Sequence, residues 1–149
     1  MSAKVIPDKI HLKEFRIVEA EIKSPEFFGK NEVNHYSSVC DFNMAFNLED
    51  GLIKANLIIN VHTVSNSNTN LQEAKVLFEM VYIFHIENFK DLAVQMPDNT
   101  LDLKGGLANA IASIAYSTSR GVLLTRLQGT VMSEFILPVI DPNELIAKK

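Results

Sequence analysis

The sequence predicts one α+β domain over residues 1–149, in which a four-stranded antiparallel sheet carries a long helix and a short C-terminal helix on one face. Apolar and polar residues alternate with a period of two in the N-terminal part of the chain, and the links between the alternating runs are short. After Pro97 the apolar residues recur at helical spacing. Successive strands followed by helices are typical of α+β proteins with an antiparallel sheet.

Four runs with this alternation are predicted as strands, and they occupy residues 10–22, 36–48, 52–64 and 74–86. In the first run Leu12 and Phe15 break the alternation, which predicts a bulge or a twist. Glu49-Asp50-Gly51 predicts a hairpin turn between the second and third runs, and the polar residues 65–70 predict a loop after the third. The outer face of this sheet is predicted to be polar, with Glu19, Glu21, Asp41, Asn43, Lys54, Asn56 and Glu79.

Two helices are predicted in the C-terminal part. The longer one covers residues 107–127 and ends before Gly129. Its apolar stripe is expected to consist of Leu107, Ile111, Ile114, Thr118 and Val122. A neighbouring stripe of small residues, which would allow another helix to approach closely, consists of Ala108, Ala112, Ala115 and Ser119. Asp141 as N-cap and Pro142 after it predict a short helix that must dock to be stable.

Composition excludes several classes of function. The formal net charge is −4 and no basic cluster is present, which argues against nucleic acid as the main partner. The single cysteine, Cys40, cannot form an internal disulfide. No secretory signal is recognisable, and no apolar run approaches the roughly 18 residues of a membrane span. We therefore expect a cytoplasmic protein without membrane insertion.

Motifs that would indicate catalysis are missing from the sequence. The four histidines are distributed one to each strand region, without the spacing of a zinc site; they are His11, His35, His62 and His85. Gly105-Gly106 lacks the further residues of a phosphate-binding loop, and no serine lies in a nucleophile elbow. The sequence therefore predicts a protein that is not an enzyme and uses no metal or cofactor.

Apolar residues exceed what the predicted core obviously needs. Residues 131–140 are strongly apolar although Pro138 interrupts them. Apolar surface that stays accessible usually marks contact with another protein, and Met and Phe side chains adapt to varied partners. These features indicate a protein that works by holding other polypeptides.

Short motifs along the chain resemble the SecB family of protein-export chaperones. Ser119-Arg120-Gly121 resembles the family's Ser-Arg-Gly near the end of the long helix, and Leu137-Pro138-Val139 resembles its Pro-Val segment before a second helix. Upstream, Leu77-Phe78-Glu79 resembles a Leu-Cys-Glu strand, and Ser24-Pro25 resembles an Ala-Pro after the first strand. The likeness extends over most of the chain, and strong local identity is limited to residues 116–139.

The resemblance implies an ATP-independent holdase that binds unfolded polypeptides, including preproteins for export, in hydrophobic grooves beside the sheet. It also implies a homotetramer assembled as a dimer of dimers. The residues assigned to the client-binding groove are aromatic or Met: Phe42, Met44, Phe46, Phe78, Met80, Tyr82, Phe84 and Phe135.

A second site implied by the resemblance is an acidic patch that binds the motor protein SecA. Carried over by position, this patch involves Glu19, Leu77 and Glu79. Lys23 stands where the family has an acid, and a reversed charge weakens the electrostatic attraction of such a partner. This departure counts against transfer of clients to SecA.

Two other interpretations stay open. A dedicated adaptor, or an antitoxin-type chaperone of the same fold, would bind one fixed partner and ignore other unfolded chains. An enzyme or small-ligand binder in a cleft between sheet and helix would need converging polar residues, which the sequence does not display. Suppression of the aggregation of unrelated proteins distinguishes the holdase from the adaptor.

Overall fold

A computed structural model describes residues 4–66 and 73–147 of the chain. Four long strands form one antiparallel sheet in the order β1-β4-β3-β2. They are β1 (Ile10–Lys23), β2 (Val33–Asn47), β3 (Leu52–Ser65) and β4 (Lys75–Ile86). The predicted antiparallel sheet is confirmed, with β3 and β4 in its centre and β1 and β2 at its edges. Of the loop predicted over residues 65–70, residues 67–70 lie outside the described residues.

Strict alternation of inward-facing apolar residues with outward-facing residues explains why β3 and β4 form strands. Every second residue of β3 and β4 is buried on the inner face, whereas the residues between them are half-buried or exposed on the outer face. The inner set consists of Ile53, Ala55, Leu57, Ile59 and Val61 in β3 and Val76, Phe78, Met80, Tyr82, Phe84 and Ile86 in β4. Each large side chain of this set contributes about 1.5–3 kcal/mol through burial.

The first strand is irregular where its alternation breaks. Its pairing with β4 shifts register between Leu12 and Glu14 and again between Ile17 and Glu19. Because each bulge inserts one extra residue, Phe15 still reaches the inner face, where its ring centroid lies 5.1 Å from that of Tyr82. The predicted irregularity is thus confirmed.

A tight turn joins β2 to β3, as predicted from Glu49-Asp50-Gly51. The Asp50 N–H donates to Asn47 Oδ1 at 3.0 Å, and the Gly51 N–H donates to the Leu48 carbonyl at 3.3 Å. Gly51 has a φ of +69°, and a Cβ at this position would lie 3.0 Å from the Ile86 carbonyl oxygen. Both conditions favour glycine.

Three short elements after β4 were not predicted. A single turn of helix, α1 (Phe89–Leu92), leads into a hairpin of β5 (Ala93–Gln95) and β6 (Leu101–Leu103). Phe89 and Leu92 are fully buried and fasten this region to the main core. Strands of three residues are too short to show a reliable alternation, so the sequence contains no strong signal for them.

The long helix α2 (Leu107–Arg126) begins at the predicted residue and ends one residue before the predicted end, but its buried face differs from the predicted stripe. Ile114, Thr118 and Val122 are only half-buried. The buried residues are Leu107, Ile111, Ala112, Ala115, Tyr116, Ser119 and Leu123. Three residues of the small stripe, Ala112, Ala115 and Ser119, are buried within the chain. Their size lets α2 approach so closely that Ser119 Oγ and the Tyr82 hydroxyl are 2.5 Å apart.

The C-terminal helix α3 (Pro142–Ala147) forms as predicted. Asp141 Oδ1 accepts a hydrogen bond from the Asn143 N–H at 3.0 Å and caps the helix. Asn109 Nδ2 donates to Asn143 Oδ1 at 2.9 Å, and Leu145 is fully buried. These contacts dock α3 against α2 and β2. In the described part of the chain, no helix has both the length and the apolar character needed to cross a membrane.

Candidate polypeptide-binding groove

The connecting segment between α2 and α3, defined here as residues 128–141, runs beside the inner side of edge strand β2. Its turns are closed by backbone hydrogen bonds from Ser133 to Thr130 at 3.2 Å and from Phe135 to Met132 at 2.9 Å. Side chains along the segment divide between core and solvent. Val131, Met132, Phe135 and Leu137 are buried, whereas Ile136 is 60% exposed and Val139 is 87% exposed. The segment is therefore anchored while it presents apolar groups outward.

Tyr36 of β2 forms one anchor of this segment. Its hydroxyl donates to the Val131 carbonyl at 3.4 Å, and its ring packs edge-on against Phe135 with centroids 5.4 Å apart. Burial, followed by the nearby Glu134 carboxylate, raises the pKa of the Tyr36 hydroxyl. The hydroxyl thus remains a neutral donor at physiological pH.

Tyr116 of α2 holds the segment further along. Its hydroxyl donates to the Pro138 carbonyl at 2.6 Å. Burial first, and then Cys40, raise the pKa of Tyr116 to about 12. Because Pro138 cannot donate a backbone hydrogen bond of its own, this side-chain bond fixes the segment where it turns towards α3.

An open groove of about 560 Å³ lies between β2 and the connecting segment. Apolar and polar groups both line it: Lys30, Val33, Asn34, His35, Tyr36, Ser38, Glu134, Phe135, Ile136 and Pro138. Among the described strands, β2 pairs with β3 alone, so its other edge has backbone donors and acceptors available. An extended peptide can pair with such an edge while its side chains enter the groove.

The predicted groove residues are only partly placed at this surface. Phe78, Met80, Tyr82 and Phe84 are fully buried on the inner face of the sheet, and Phe42 is also in the core. Met44 is half-buried. Phe46 is partly exposed, but it lies at the other end of β2, beside Leu101. Only Phe135 lines the groove. Most of the predicted set therefore lies in the core of the single chain, and its role in client binding stays a prediction.

Residues that the sequence interpretation missed include Tyr36, Val33 and Ile136. Tyr36 is the first residue of the strand predicted over residues 36–48, and its position at the start of that strand was the available signal. The strand order, however, is not evident from alternation alone. Ile136 lies in an apolar segment that the sequence did single out, although its exposure depends on how that segment docks.

The three residues of the predicted partner patch share the outer face of the sheet. Glu19 of β1 lies directly opposite Glu79 of β4, and Leu77 lies opposite Glu21. Asn56 Nδ2 donates to Glu79 Oε2 at 2.8 Å. The structure therefore brings Glu19, Leu77 and Glu79 together, and their role stays a prediction. Lys23, the departure from the family pattern, lies opposite Lys75.

The histidines do not form a metal centre in the described part of the chain. No group of three or more His, Cys, Asp or Glu side chains is placed to hold a metal ion in residues 4–66 and 73–147. His11 and His85 are stacked with ring centroids 6.2 Å apart, and His11 Nε2 lies 2.5 Å from Glu87 Oε2. That hydrogen bond to His11 is the main reason why the pKa of Glu87 is lowered.

The four-stranded sheet, the long helix and the docked C-terminal helix together form a SecB-like fold. A solved structure with this arrangement is the SecB-like chaperone Rv1957 of Mycobacterium tuberculosis, in complex with a ChAD peptide from the antitoxin Rv1956 (HigA1). The two chains are 9% identical, the TM-score is 0.63, and the alignment covers 90% of this chain and 91% of the other. At this identity the likeness shows the fold alone.

A second solved structure, a protein of unknown function from Streptococcus agalactiae, aligns with a TM-score of 0.36 at 9% identity, over 87% of this chain and 97% of the other. No protein-family model and no curated protein matches the chain.

Proposed function

We propose that this chain is an ATP-independent holdase that binds unfolded polypeptides in the groove between β2 and the connecting segment. The observation that carries the proposal is the combination of the β2 edge at residues 33–38, with which no other described strand pairs, and exposed apolar side chains beside it. Backbone groups of an edge strand are the same whatever the client sequence. Apolar contacts also tolerate different client sequences. A strand edge and apolar side chains together therefore suit clients that share no sequence motif.

The energetics favour weak, repeated binding. Each client side chain that becomes buried in the groove contributes roughly 1.5–3 kcal/mol, part of which is offset by ordering of the client. One short groove therefore binds weakly, and several grooves in one assembly bind a long unfolded chain tightly through avidity. The need for several grooves in one assembly supports the proposed homotetramer, a dimer of dimers.

The other edge strand, β1, also supports assembly of several copies of the chain. Leu12, Phe15 and Ile22 of β1 pair with inward-facing residues of β4, yet each remains partly exposed. Another copy of the chain that covered this edge would remove apolar surface from water and satisfy backbone groups with which no other described strand pairs. Transfer of clients to SecA is the weaker part of the proposal, because Lys23 and Lys75 interrupt the acidic surface.

A dedicated antitoxin-type chaperone is the second candidate. The solved SecB-like neighbour holds a peptide from an antitoxin, which is a single defined partner. Applied to this chain, that arrangement would use the same groove for one segment with matched side chains. The groove geometry fits both candidates, so the breadth of clients is the property that separates them.

The test measures aggregation of reduced insulin without ATP, with the mass of the chaperone determined by light scattering in the same sample. We expect suppression by a species of about four subunits, because several grooves on one assembly give avidity for a long unfolded chain. Replacing Ile136 with Asp should weaken suppression about tenfold, since it removes one apolar contact and adds a charge to the groove.

The matched control is Val94→Asp, which places the same charge on an exposed valine of β5 outside the groove. Equal loss in both variants would contradict the assignment of the groove. A monomer that leaves insulin aggregation unchanged would reject the general holdase and leave the dedicated adaptor.

A further inference from the structure

A second compartment, of about 460 Å³, lies beyond the start of β2. One wall consists of residues 24–30 without Phe27, from the connection between β1 and β2, and the other consists of residues 128–133 without Met132, from the connecting segment. Lys30 lines both this compartment and the groove, and Ser133 of the compartment directly precedes Glu134 of the groove in the chain. The two spaces are therefore neighbours, and the compartment has the size of an ordinary ligand site.

Contacts within the chain hold both walls of the compartment in place. The Val131 N–H donates to Ser24 Oγ at 3.1 Å, which joins one wall to the other. The Phe28 N–H donates to the Pro25 carbonyl at 3.1 Å and closes a turn in the first wall. The Phe28 ring is 5% exposed and belongs to the hydrophobic core. The space between the walls is thus a built feature of the fold.

One polar group of the lining has no hydrogen-bond partner among the described residues. It is the hydroxyl of Ser133, whose oxygen is buried. A buried hydroxyl without a partner costs free energy. A polypeptide in the compartment would remove that cost, because every peptide unit has a carbonyl that accepts a hydrogen bond and most have an N–H that donates one.

The chemistry of the lining favours small polar residues over large apolar ones. Uncharged polar side chains predominate in it: Ser24, Gln128, Thr130 and Ser133. Glu26 and Lys30 add one charge of each sign, so the lining has no net charge. The groove beside β2 differs, because Phe135 and Ile136 line it. The two neighbouring spaces therefore suit different parts of one polypeptide segment.

We propose that the compartment binds the polar continuation of the client segment whose apolar part lies in the groove beside β2. This inference rests on the proposed function and specifies its client as an apolar stretch with small polar residues at one end. A segment that continues past Val33 leaves the strand edge and reaches the compartment beside Lys30. Three further extended residues span about 10 Å, and their backbone forms a hydrogen bond with the Ser133 hydroxyl.

The test uses the full chain and measures how acetylated, amidated peptides displace a fluorescent core peptide. The core, Val-Thr-Leu-Thr-Val-Thr, is compared with peptides that carry Ser-Gly-Ser at its N-terminal or at its C-terminal end. A segment can run along a strand edge in either direction, so both extensions are measured. We expect one extension to tighten binding about tenfold, because its backbone gains hydrogen bonds in the compartment.

The variant Gly29→Leu narrows the compartment without straining the backbone. Gly29 has a φ of −97°, and a Cβ at this position would meet no other atom within 4 Å. We expect the variant to bind the core peptide as the parent chain does and to lose the gain from the extension. Phe27→Ala is the matched control, since it changes an 84% exposed ring in the same connection that does not line the compartment. This control should keep the gain.

The variant Ser133→Ala tests the hydroxyl itself. Removal of an unpartnered buried hydroxyl should leave the melting temperature unchanged or raise it, so a loss of binding does not come from unfolding. We expect the affinity for the extended peptide to fall about fivefold and the affinity for the core peptide to change by less than about twofold.

Several outcomes overturn the inference. One is binding of the core peptide without a gain from either extension, and another is a gain that persists in both Gly29→Leu and Ser133→Ala. Equal losses in Phe27→Ala and Gly29→Leu would assign the gain to the exposed ring. If Gly29→Leu lowers the melting temperature, Ser133→Ala is the deciding variant. Insulin aggregation tests the holdase separately, so suppression that depends on Ile136, together with extensions that have no effect, would reject the compartment alone.

Discussion

The two edges of the sheet differ in how their inner sides are covered. At the β2 edge the connecting segment packs against the strand, and Phe135 is 5% exposed beside Tyr36. At the β1 edge no described element covers the corresponding side, and Leu12 and Phe15 are 45% and 36% exposed. Both strands have inward-facing apolar residues, so the residues themselves do not produce the difference. It arises because α2, the connecting segment and α3 lie over β2, β3 and β4.

This contrast indicates different roles for the two edges. The inner side of the β2 edge is covered by the connecting segment, which leaves a groove of limited size, as the proposed binding of a polypeptide segment requires. The β1 edge presents a bare apolar row, as suits a larger contact with another subunit. Variants that alter one edge and spare the other test whether this division is correct.

The largest expected effect compares the same residue type at the two edges. Phe135→Ala removes a buried ring from the β2 side, so it should lower the free energy of unfolding by about 3–5 kcal/mol. Phe15→Ala removes a partly exposed ring from β1 and should cost about 1 kcal/mol at concentrations where the chain is monomeric. Urea unfolding of both variants measures the difference. Equal losses at low concentration would mean that β1 is covered within the chain.

A smaller effect concerns the contact that positions α2. Tyr82→Phe leaves the Ser119 hydroxyl buried without its partner, so we expect a loss of about 1–3 kcal/mol. The double variant with Ser119→Ala removes both polar groups and should recover part of that loss. A double-mutant cycle from urea unfolding measures the coupling. Strictly additive losses would show that the Tyr82–Ser119 contact does not hold the helix over the sheet.

The smallest expected effect is a loss of folding stability at alkaline pH. The folded state raises the pKa of Tyr116 to about 12 from the ordinary value of 10.0, so the unfolded chain loses this proton first as pH rises. Its contribution to stability is therefore complete below pH 10 and is lost progressively as pH rises towards 12. We expect Tyr116→Phe to show a shallower decline over this interval than the parent chain. An unchanged slope would mean that Tyr116 is not held neutral by burial beside Pro138.

Much of the fold could be predicted because its signals are local. Alternation defined the four long strands, the interruption at Leu12 and Phe15 predicted the bulged strand, and Asp141-Pro142 predicted the start of α3. Each of these signals needs only neighbouring residues. The hairpin of β5 and β6 escaped prediction because three-residue strands are shorter than the window in which alternation can be recognised.

The site was less predictable because accessibility depends on what lies above each strand. Phe78, Met80, Tyr82 and Phe84 were correctly placed on the apolar face of β4, but they are fully buried within the chain, where Tyr82 contacts Ser119 of α2. Tyr36 and Ile136 line the groove because β2 is an edge strand and the connecting segment docks beside it. The alternation of apolar and polar residues predicts neither the edge position of β2 nor the docking of the connecting segment.

The sequence by itself determined the four long strands, the helices α2 and α3, and which side of each long strand is apolar, since these properties follow from local spacing and backbone preference. The tertiary structure decided the strand order, the face of α2 that meets the sheet, and the difference between the two edges. Those features depend on contacts between residues far apart in the chain, such as Tyr82 with Ser119 and Tyr36 with Val131. The burial of a residue therefore depends on how the strands and helices pack together, and not only on the strand to which the residue belongs.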